Sequence, residues 1–278
     1  MVMSLKYAYL GPAGTFTQAA LQKIAGSTDE LIPYANVTAA LNAVRSGECA
    51  KALVPIENSV EGVVARTLDE LAIGEALVIT AETTLPVSFS LMSLEDKDVK
   101  EIKSIATHPH AESQCREYIA KNFPNAQVIE SASTAAAAKG LSKGEYDAAI
   151  AAPIAAKNYN LKVIAENIGD NSGAVTRFVV VEKPNKMPDA TGKDRTSMVV
   201  FIAIDHAGAL LEILNEFAKH EVNLTFIQSR PTGVGLGHYH FIIDVEGHIQ
   251  DEAVSATLTG LKQICEDVRF LGSYPQAK

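Results

Sequence analysis

A chain of 278 residues is long enough for one large domain or two moderate ones, and it buries a sizeable core without difficulty. Its formal charge of −9 argues against nucleic acid or an anionic membrane surface as partner, while local cations and helix N-termini still admit an anionic small ligand. Cys49, Cys115 and Cys265 are widely spaced without CxxC pairing, no stretch approaches a membrane span, and Met1-Val2-Met3-Ser4-Leu5-Lys6 lacks the apolar run of a signal peptide, so a reducing, cytoplasmic setting is expected.

In chain order, the pattern predicts a strand over Lys6–Leu10, a helix over Thr15–Ile24, a strand over Ala52–Ile56 and a helix over Val63–Leu71 with Val64, Leu68 and Leu71 on one face. A long β-rich stretch, Ala76–Met92, is interrupted by Thr83-Thr84-Leu85-Pro86. There follow a strand over Ser104–Ala106, a helix over Ala111–Asn122, a strand over Ala126–Ile129, a helix over Thr134–Leu141, and strands over Ala148–Ala151 and Val175–Val181. This alternation is that of an α/β layer architecture. If Ala76–Met92 leads to a second lobe and Val175–Val181 returns to the first, two lobes flank a cleft.

Lys183–Lys193 holds two prolines and a glycine among mostly polar residues and reads as a linker. Beyond it the order changes to strand Thr196–Ile204, helix Gly208–His220, strands Asn223–Ser229 and His238–Val245, helix Asp251–Ile264 and strand Val268–Leu271. That is the ferredoxin-like βαββαβ order, with Leu210, Ile213, Leu214 and Phe217 forming a core-facing stripe. The expected division is 1–182, a linker at 183–193 and 194–278, with lobes at about 1–80 plus 166–182 and at 81–165.

Four junctions carry small and hydroxylated residues: Gly11-Pro12-Ala13-Gly14-Thr15, Pro55-Ile56-Glu57-Asn58-Ser59-Val60-Glu61-Gly62, Thr107–Gln114, and Ser131-Ala132-Ser133-Thr134. Any one of them is explained by turn formation and helix capping. Together, at the carboxyl ends of strands in an open α/β sheet, they suggest an anion-binding cleft. Glu57 and Glu61 read as carboxylates complementing a helix N-terminus, and Asn58-Ser59 as an uncharged pair suited to orienting a polar ligand.

Thr176-Arg177-Phe178 adds a hydroxyl, a permanent cation and a ring where a small-residue loop enters an apolar strand. Arg177 suits a carboxylate because its planar guanidinium grips two oxygens at once. The Thr176 hydroxyl has too high a pKa for strong acid catalysis, so it helps as an aimed hydrogen-bond donor. Phe178 reads mostly as packing. His238, His240 and His248 read as surface or interface histidines and not as a metal site. Gly233, Gly235 and Gly237 fit a hairpin turn and not a dinucleotide fingerprint.

These motifs, with His108-Pro109-His110-Ala111 and Ala149-Ile150-Ala151, resemble in order those of the prephenate dehydratase family, and the tail resembles its regulatory ACT domain. Four positions depart from the family pattern: His110 where Gln is common, Ala174 where Asn is usual, Ala207 in place of Pro, and Gln228 in place of Glu. The resemblance implies a two-lobed, periplasmic-binding-protein-like catalytic domain with an inter-lobe cleft, followed by a ferredoxin-like ACT domain. It implies a carbon–oxygen lyase converting prephenate to phenylpyruvate with loss of CO2 and water, without metal or cofactor. Thr176 is then the catalytic residue, and Arg177, Asn58, Ser59, Thr15, Phe178, Gly11, Gln114 and Ser133 bind substrate.

L-phenylalanine is the implied effector. Its implied site comprises Gly208, Ala209, Leu210 and Leu211 at a helix start, Asn223 and Leu224, and Gln228, Ser229, Arg230 and Pro231 at a strand end. A homodimer or homotetramer through ACT and catalytic domains is implied as well. Two alternatives stay open: arogenate dehydratase, whose substrate carries an amino group in place of the side-chain keto group, and a non-catalytic small-anion sensor.

Overall fold

The computed structural model describes residues 4–202, 206–233, 235 and 238–277. Met1-Val2-Met3, the expected strand end Ile204, and Gly237 of the glycine-rich turn lie outside the described residues. The chain forms two compact units: Met1–Ala40 with Leu53–Val64 and Thr84–Phe178, and Leu41–Ala52 with Ala65–Thr83 and Val179–Lys278.

The element order begins β1 (Lys6–Leu10), α1 (Phe16–Leu21), β2 (Glu30–Tyr34), α2 (Val37–Ser46), β3 (Lys51–Asn58), β4 (Gly62–Val63) and α3 (Ala65–Ile73). It continues with β5 (Val78–Pro86), β6 (Ser90–Ser93), β7 (Ser104–Thr107), α4 (Pro109–Ser113), α5 (Arg116–Asn122) and β8 (Gln127–Glu130). Then come α6 (Thr134–Leu141), β9 (Ala148–Ala151), α7 (Pro153–Tyr159), β10 (Lys162–Ala165) and β11 (Val175–Glu182). The tail holds β12 (Asp194–Phe201), α8 (Ala209–Lys219), β13 (Leu224–Pro231), β14 (Tyr239–Glu246), α9 (Glu252–Ile264) and β15 (Asp267–Pro275).

One sheet runs β2-β1-β3-β11-β5 with β4 paired to β3, and a second runs β10-β6-β9-β7-β8. β3, β9 and β11 are near-continuous runs of buried residues, the pattern of strands covered on both faces. The third sheet, β13-β14-β12-β15, has antiparallel pairings, and Met198, Val200, Ile213, Phe217, Ile243, Leu258 and Leu261 share its core with α8 and α9. The two-lobed α/β arrangement and the βαββαβ tail expected from the sequence are both present. Among the described residues, no helix is long and apolar enough to cross a membrane.

Several local expectations change. β2, α2, α7 and β10 are absent from the expected elements; β2 is only half-buried and α7 and β10 are short, whereas α2 does bury Val37, Ala40, Leu41 and Val44 on one face, a helical spacing present in the sequence. The helix expected from Val63 begins at Ala65, because Val63 pairs with Glu57 in the β3–β4 hairpin and Val64 bonds back to Ile56. The helix expected over Ala111–Asn122 breaks between α4 and α5, where Asp170 accepts the Glu117 N–H and donates its own N–H to the Gln114 carbonyl. On α8, Ala209 is buried and Leu210 is 36% exposed, so the core stripe is shifted from the one expected.

The histidines need a larger correction. His240 and His248 are both fully buried. His248 is a tether: its Nε2 lies 3.2 Å from the Pro188 carbonyl and its Nδ1 accepts the Gln250 N–H. It therefore ties down the segment read as a free linker, which Asp194 also anchors through Thr191 and Gly192. Hydrogen bonds from the Thr191 hydroxyl and the backbone hold the Asp194 carboxyl below its ordinary range, although burial, the largest single influence, opposes them.

Within the second unit, β15 lies against β5. Gly272 adopts φ +139°, and a Cβ there would sit 2.2 Å from the Ile79 carbonyl oxygen. Only glycine satisfies both the backbone angle and the approach.

Candidate active site

The site grows from the meeting of β3 and β11. Ser59 and Val175 exchange two hydrogen bonds, Ser59 N–H to the Val175 carbonyl and Val175 N–H to Ser59 Oγ, each 2.9 Å. That clasp fixes the end of β3 beside the start of β11. Asn58 then has its amide orientation dictated by its neighbours. Its Oδ1 accepts the Val60 and Glu61 N–H groups at 2.8 and 2.9 Å, so its Nδ2 must be the atom facing Thr176. Nδ2 donates to Thr176 Oγ1 at 2.8 Å. With Oγ1 already accepting, the Thr176 proton is directed to another acceptor.

Thr176, Arg177 and Phe178 are 8%, 7% and 1% exposed. Phe178 fills the core. The Arg177 Nε lies 3.4 Å from Glu57 Oε2, an ion pair between a buried cation and a half-exposed carboxylate. Glu57 and Glu61 do not complement a helix N-terminus as expected, since β3 turns back into β4 and α3 begins only beyond that hairpin, at Ala65, with no acidic residue in its first turn. Glu61 instead reaches α4: its Oε1 accepts Gln114 Nε2 at 3.1 Å and its Oε2 lies 3.8 Å from His110 Nδ1. Gly62, at φ +81°, is the hairpin signal in the sequence that separates these readings.

His108 caps α4 by accepting the His110 N–H on Nδ1 at 3.2 Å, which leaves Nε2 as the protonated nitrogen. Burial, reinforced by His110 and opposed by Glu61 and Glu130, pushes its pKa down, so the ring is neutral near pH 7.

The structure thus brings Asn58, Ser59, Thr176 and Arg177 together and links Gln114 to them through Glu61. Thr15 and Ser133 spend their hydroxyls as helix caps: Thr15 accepts from Gln18 N–H and donates to the Leu10 carbonyl, and Ser133 accepts from Ala136 N–H. Gly11 N–H donates to the Tyr34 carbonyl at 2.8 Å, holding the turn after β1. That turn is also fixed by the Tyr159 hydroxyl, which donates to the Ala13 carbonyl at 2.7 Å, while Phe16 meets Phe89 edge to face at 5.4 Å.

The residues expected to hold an effector fall in two places. Gly208 is the N-cap of α8, Ala209 is buried behind it, and Leu210 and Leu211 face outward. The Asn223 carbonyl accepts the Glu246 N–H just before Leu224 opens β13, whose far end carries Gln228, Ser229, Arg230 and Pro231. Arg230 forks onto Asp69 of α3, with Nε to Oδ1 and Nη2 to Oδ2 both at 2.8 Å.

An α/β domain with a polar, arginine-bearing site and a following ferredoxin-like domain describes a small-molecule enzyme with a sensor attached. Residues 7–186 match the family model for prephenate dehydratase, and residues 197–262 match that for the ACT domain. The chain belongs to the prephenate dehydratase family. A prephenate dehydratase of Amycolatopsis methanolica is 45% identical, with 98% of this chain and 89% of that one covered. The crystal structure of a prephenate dehydratase from Arthrobacter aurescens in complex with L-Phe is 48% identical, with a TM-score of 0.93 over 98% of this chain and 90% of that one. A quorum-quenching acylase is also similar, at 25% identity and a TM-score of 0.86, with 97% of each chain covered.

Proposed function

We propose that this chain converts prephenate to phenylpyruvate, releasing CO2 and water, as a decarboxylating carbon–oxygen lyase. Because a related fold also serves an acylase, the shape alone does not carry the reaction. Family membership supports it, and the 2.8 Å hydrogen bond from Asn58 to Thr176 supports the division of labour.

In prephenate, the bond to the ring carboxylate breaks and its electrons enter the ring, while the C4–oxygen bond breaks with its pair on the departing hydroxyl, which takes a proton from solvent to leave as water as the ring becomes aromatic. The departing oxygen gathers negative charge, so a donor aimed at it lowers the barrier. Asn58 occupies the acceptor side of the Thr176 hydroxyl and turns its proton outward to that oxygen. Arg177 holds a carboxylate, and the side-chain carboxylate is the better choice. A cation on the ring carboxylate would stabilise the group that must depart, which favours the ground state over the transition state. Ser59 fixes the strand ends, Gln114 lines the opposite wall, and Gly11, Thr15, Phe178 and Ser133 shape the surrounding loops.

The L-Phe held by the Arthrobacter relative supports L-phenylalanine as effector here. It is assigned to the α8 N-terminus and to β13, within an ACT region spanning 194–278 after a tether at 183–193 and a catalytic region at 1–182. The exposed edge of β13 suits pairing with a second copy, and the setting is the cytoplasm. The test is parallel incubation with prephenate and arogenate while phenylpyruvate and phenylalanine are followed. Rapid phenylpyruvate formation from prephenate is expected. Faster turnover of arogenate would overturn the substrate, and no turnover of either would overturn the reaction.

A further inference from the structure

Helix α3 is gripped by arginines within the second compact unit. Arg45 donates from Nη1 to Glu70 Oε2 at 2.6 Å, from Nη2 to the Glu70 carbonyl at 2.8 Å, and from Nε to the Glu75 carbonyl at 3.2 Å. Arg269 on β15 donates from Nη1 to the Gly74 carbonyl at 2.8 Å and the Leu71 carbonyl at 3.4 Å, meeting the unpaired carbonyls at the helix end. Arg230 holds the middle of the helix with its fork on Asp69.

The fork differs from Arg45, which comes from α2, in rising from the regulatory sheet, and from Arg269, which rises from β15 of that sheet, in rising from the strand end assigned to the effector. Arg230 lies between Ser229 and Pro231, in the strand end assigned to the effector. It stands opposite His240 in the strand register, and that histidine is fully buried, so the base of the arginine sits beside the core of the sheet. At its other end, α3 begins at Ala65, directly after the β3–β4 hairpin whose turn is held by Asn58. A helix clamped at its centre and C-terminus moves as a unit, so a shift of β13 reaches that turn through α3. The two side chains are 24% and 29% exposed, and partly solvated ion pairs contribute little to stability, whereas a forked geometry transmits position.

We propose that the Asp69–Arg230 fork is the link through which the regulatory sheet acts on the Asn58 turn, with α3 as the lever. Asp69 and Arg230 are positioning residues in this scheme, which rests on the effector reading above. Binding and inhibition then become separable properties.

The experiment uses the full-length protein, Asp69→Asn and Asp69→Glu. L-phenylalanine binding is measured by calorimetry, inhibition by phenylpyruvate formation, and exchange of the 57–64 amides by mass spectrometry. Asp69→Asn should bind L-phenylalanine as the parent does, while its inhibition midpoint rises about tenfold or more and the 57–64 amides cease to respond to the effector. Asp69→Glu should restore part of the response. Inhibition of Asp69→Asn at the parent midpoint overturns the link. If the parent itself does not bind L-phenylalanine, the effector reading falls and the link is judged without ligand. Faster 57–64 exchange in Asp69→Asn, recovered in Asp69→Glu, then upholds it, and unchanged exchange overturns it.

Discussion

Thr176-Arg177-Phe178 and Ser229-Arg230-Pro231 look alike in the sequence: a hydroxyl, an arginine and a ring residue on a β-strand. The fold gives them different work. Arg177 is 7% exposed and meets a half-exposed carboxylate at 3.4 Å beside an oriented threonine hydroxyl. Arg230 sits on an edge strand and sets both edges of its fork on one carboxylate at 2.8 Å. In the function proposed above, the first arrangement places donors where a ligand's charge is to be met; the second joins two pieces of protein. An arginine's job follows from who supplies its partner, not from its sequence neighbours.

Substitutions at Thr176 and Asn58 are expected to change turnover with little loss of stability, and substitutions at Gly272 and Arg269 to lower stability with little change in turnover. Thr176→Ala should lower kcat by about 10²–10³-fold with an unchanged Tm, and a fall of less than about tenfold, roughly 1.4 kcal/mol, would remove its assigned role. Asn58→Asp is a sharper probe because it keeps the acceptor for Val60 and Glu61 and presents Thr176 with an acceptor in place of a donor. The Thr176 proton then turns inward, and kcat should fall by about tenfold or more with folding preserved by circular dichroism.

Substitutions around β15 should answer in the opposite sense. Gly272→Ala forces a Cβ onto the Ile79 carbonyl and a side chain into φ +139°, costing roughly 3 kcal/mol in denaturant unfolding. Arg269→Met strips a cation from the α3 carbonyls and should cost about 1 kcal/mol, read as a lower Tm. Opposite in sign, His240→Leu removes two buried nitrogens without hydrogen-bond partners and should raise stability by about 1 kcal/mol. A large kcat loss in Gly272→Ala, Arg269→Met or His240→Leu at full occupancy of the folded state would break the contrast.

Much of the fold was legible because its signals are local. The alternation around Lys6–Leu10, Ala148–Ala151 and Val175–Val181, and the change of order after Lys193, follow from which residues avoid water. Of the elements outside that reading, β2, α7 and β10 are half-exposed or short, while α2 carries a buried stripe, Val37, Ala40, Leu41 and Val44, whose helical spacing was there in the sequence. In the site, Asn58, Ser59, Thr176 and Arg177 were recognisable by residue type. Glu61 and His110 were not, because their pairing depends on α4 reaching a hairpin that the sequence reading took for a helix start.

By itself the sequence determined the residue chemistry: a hydroxyl that donates without acting as a strong acid, a guanidinium suited to carboxylates, and motifs in the order of one enzyme family. Only the tertiary structure decided how those groups are aimed. The Thr176 hydroxyl keeps its proton for an acceptor other than Asn58, because Asn58, 118 positions away in the chain, donates to its oxygen. Arg230 is committed to α3 because Asp69, 161 positions away, meets both edges of its fork. Hydrogen bonds are directional and short-ranged, so their partners are set by folded geometry and not by residue type.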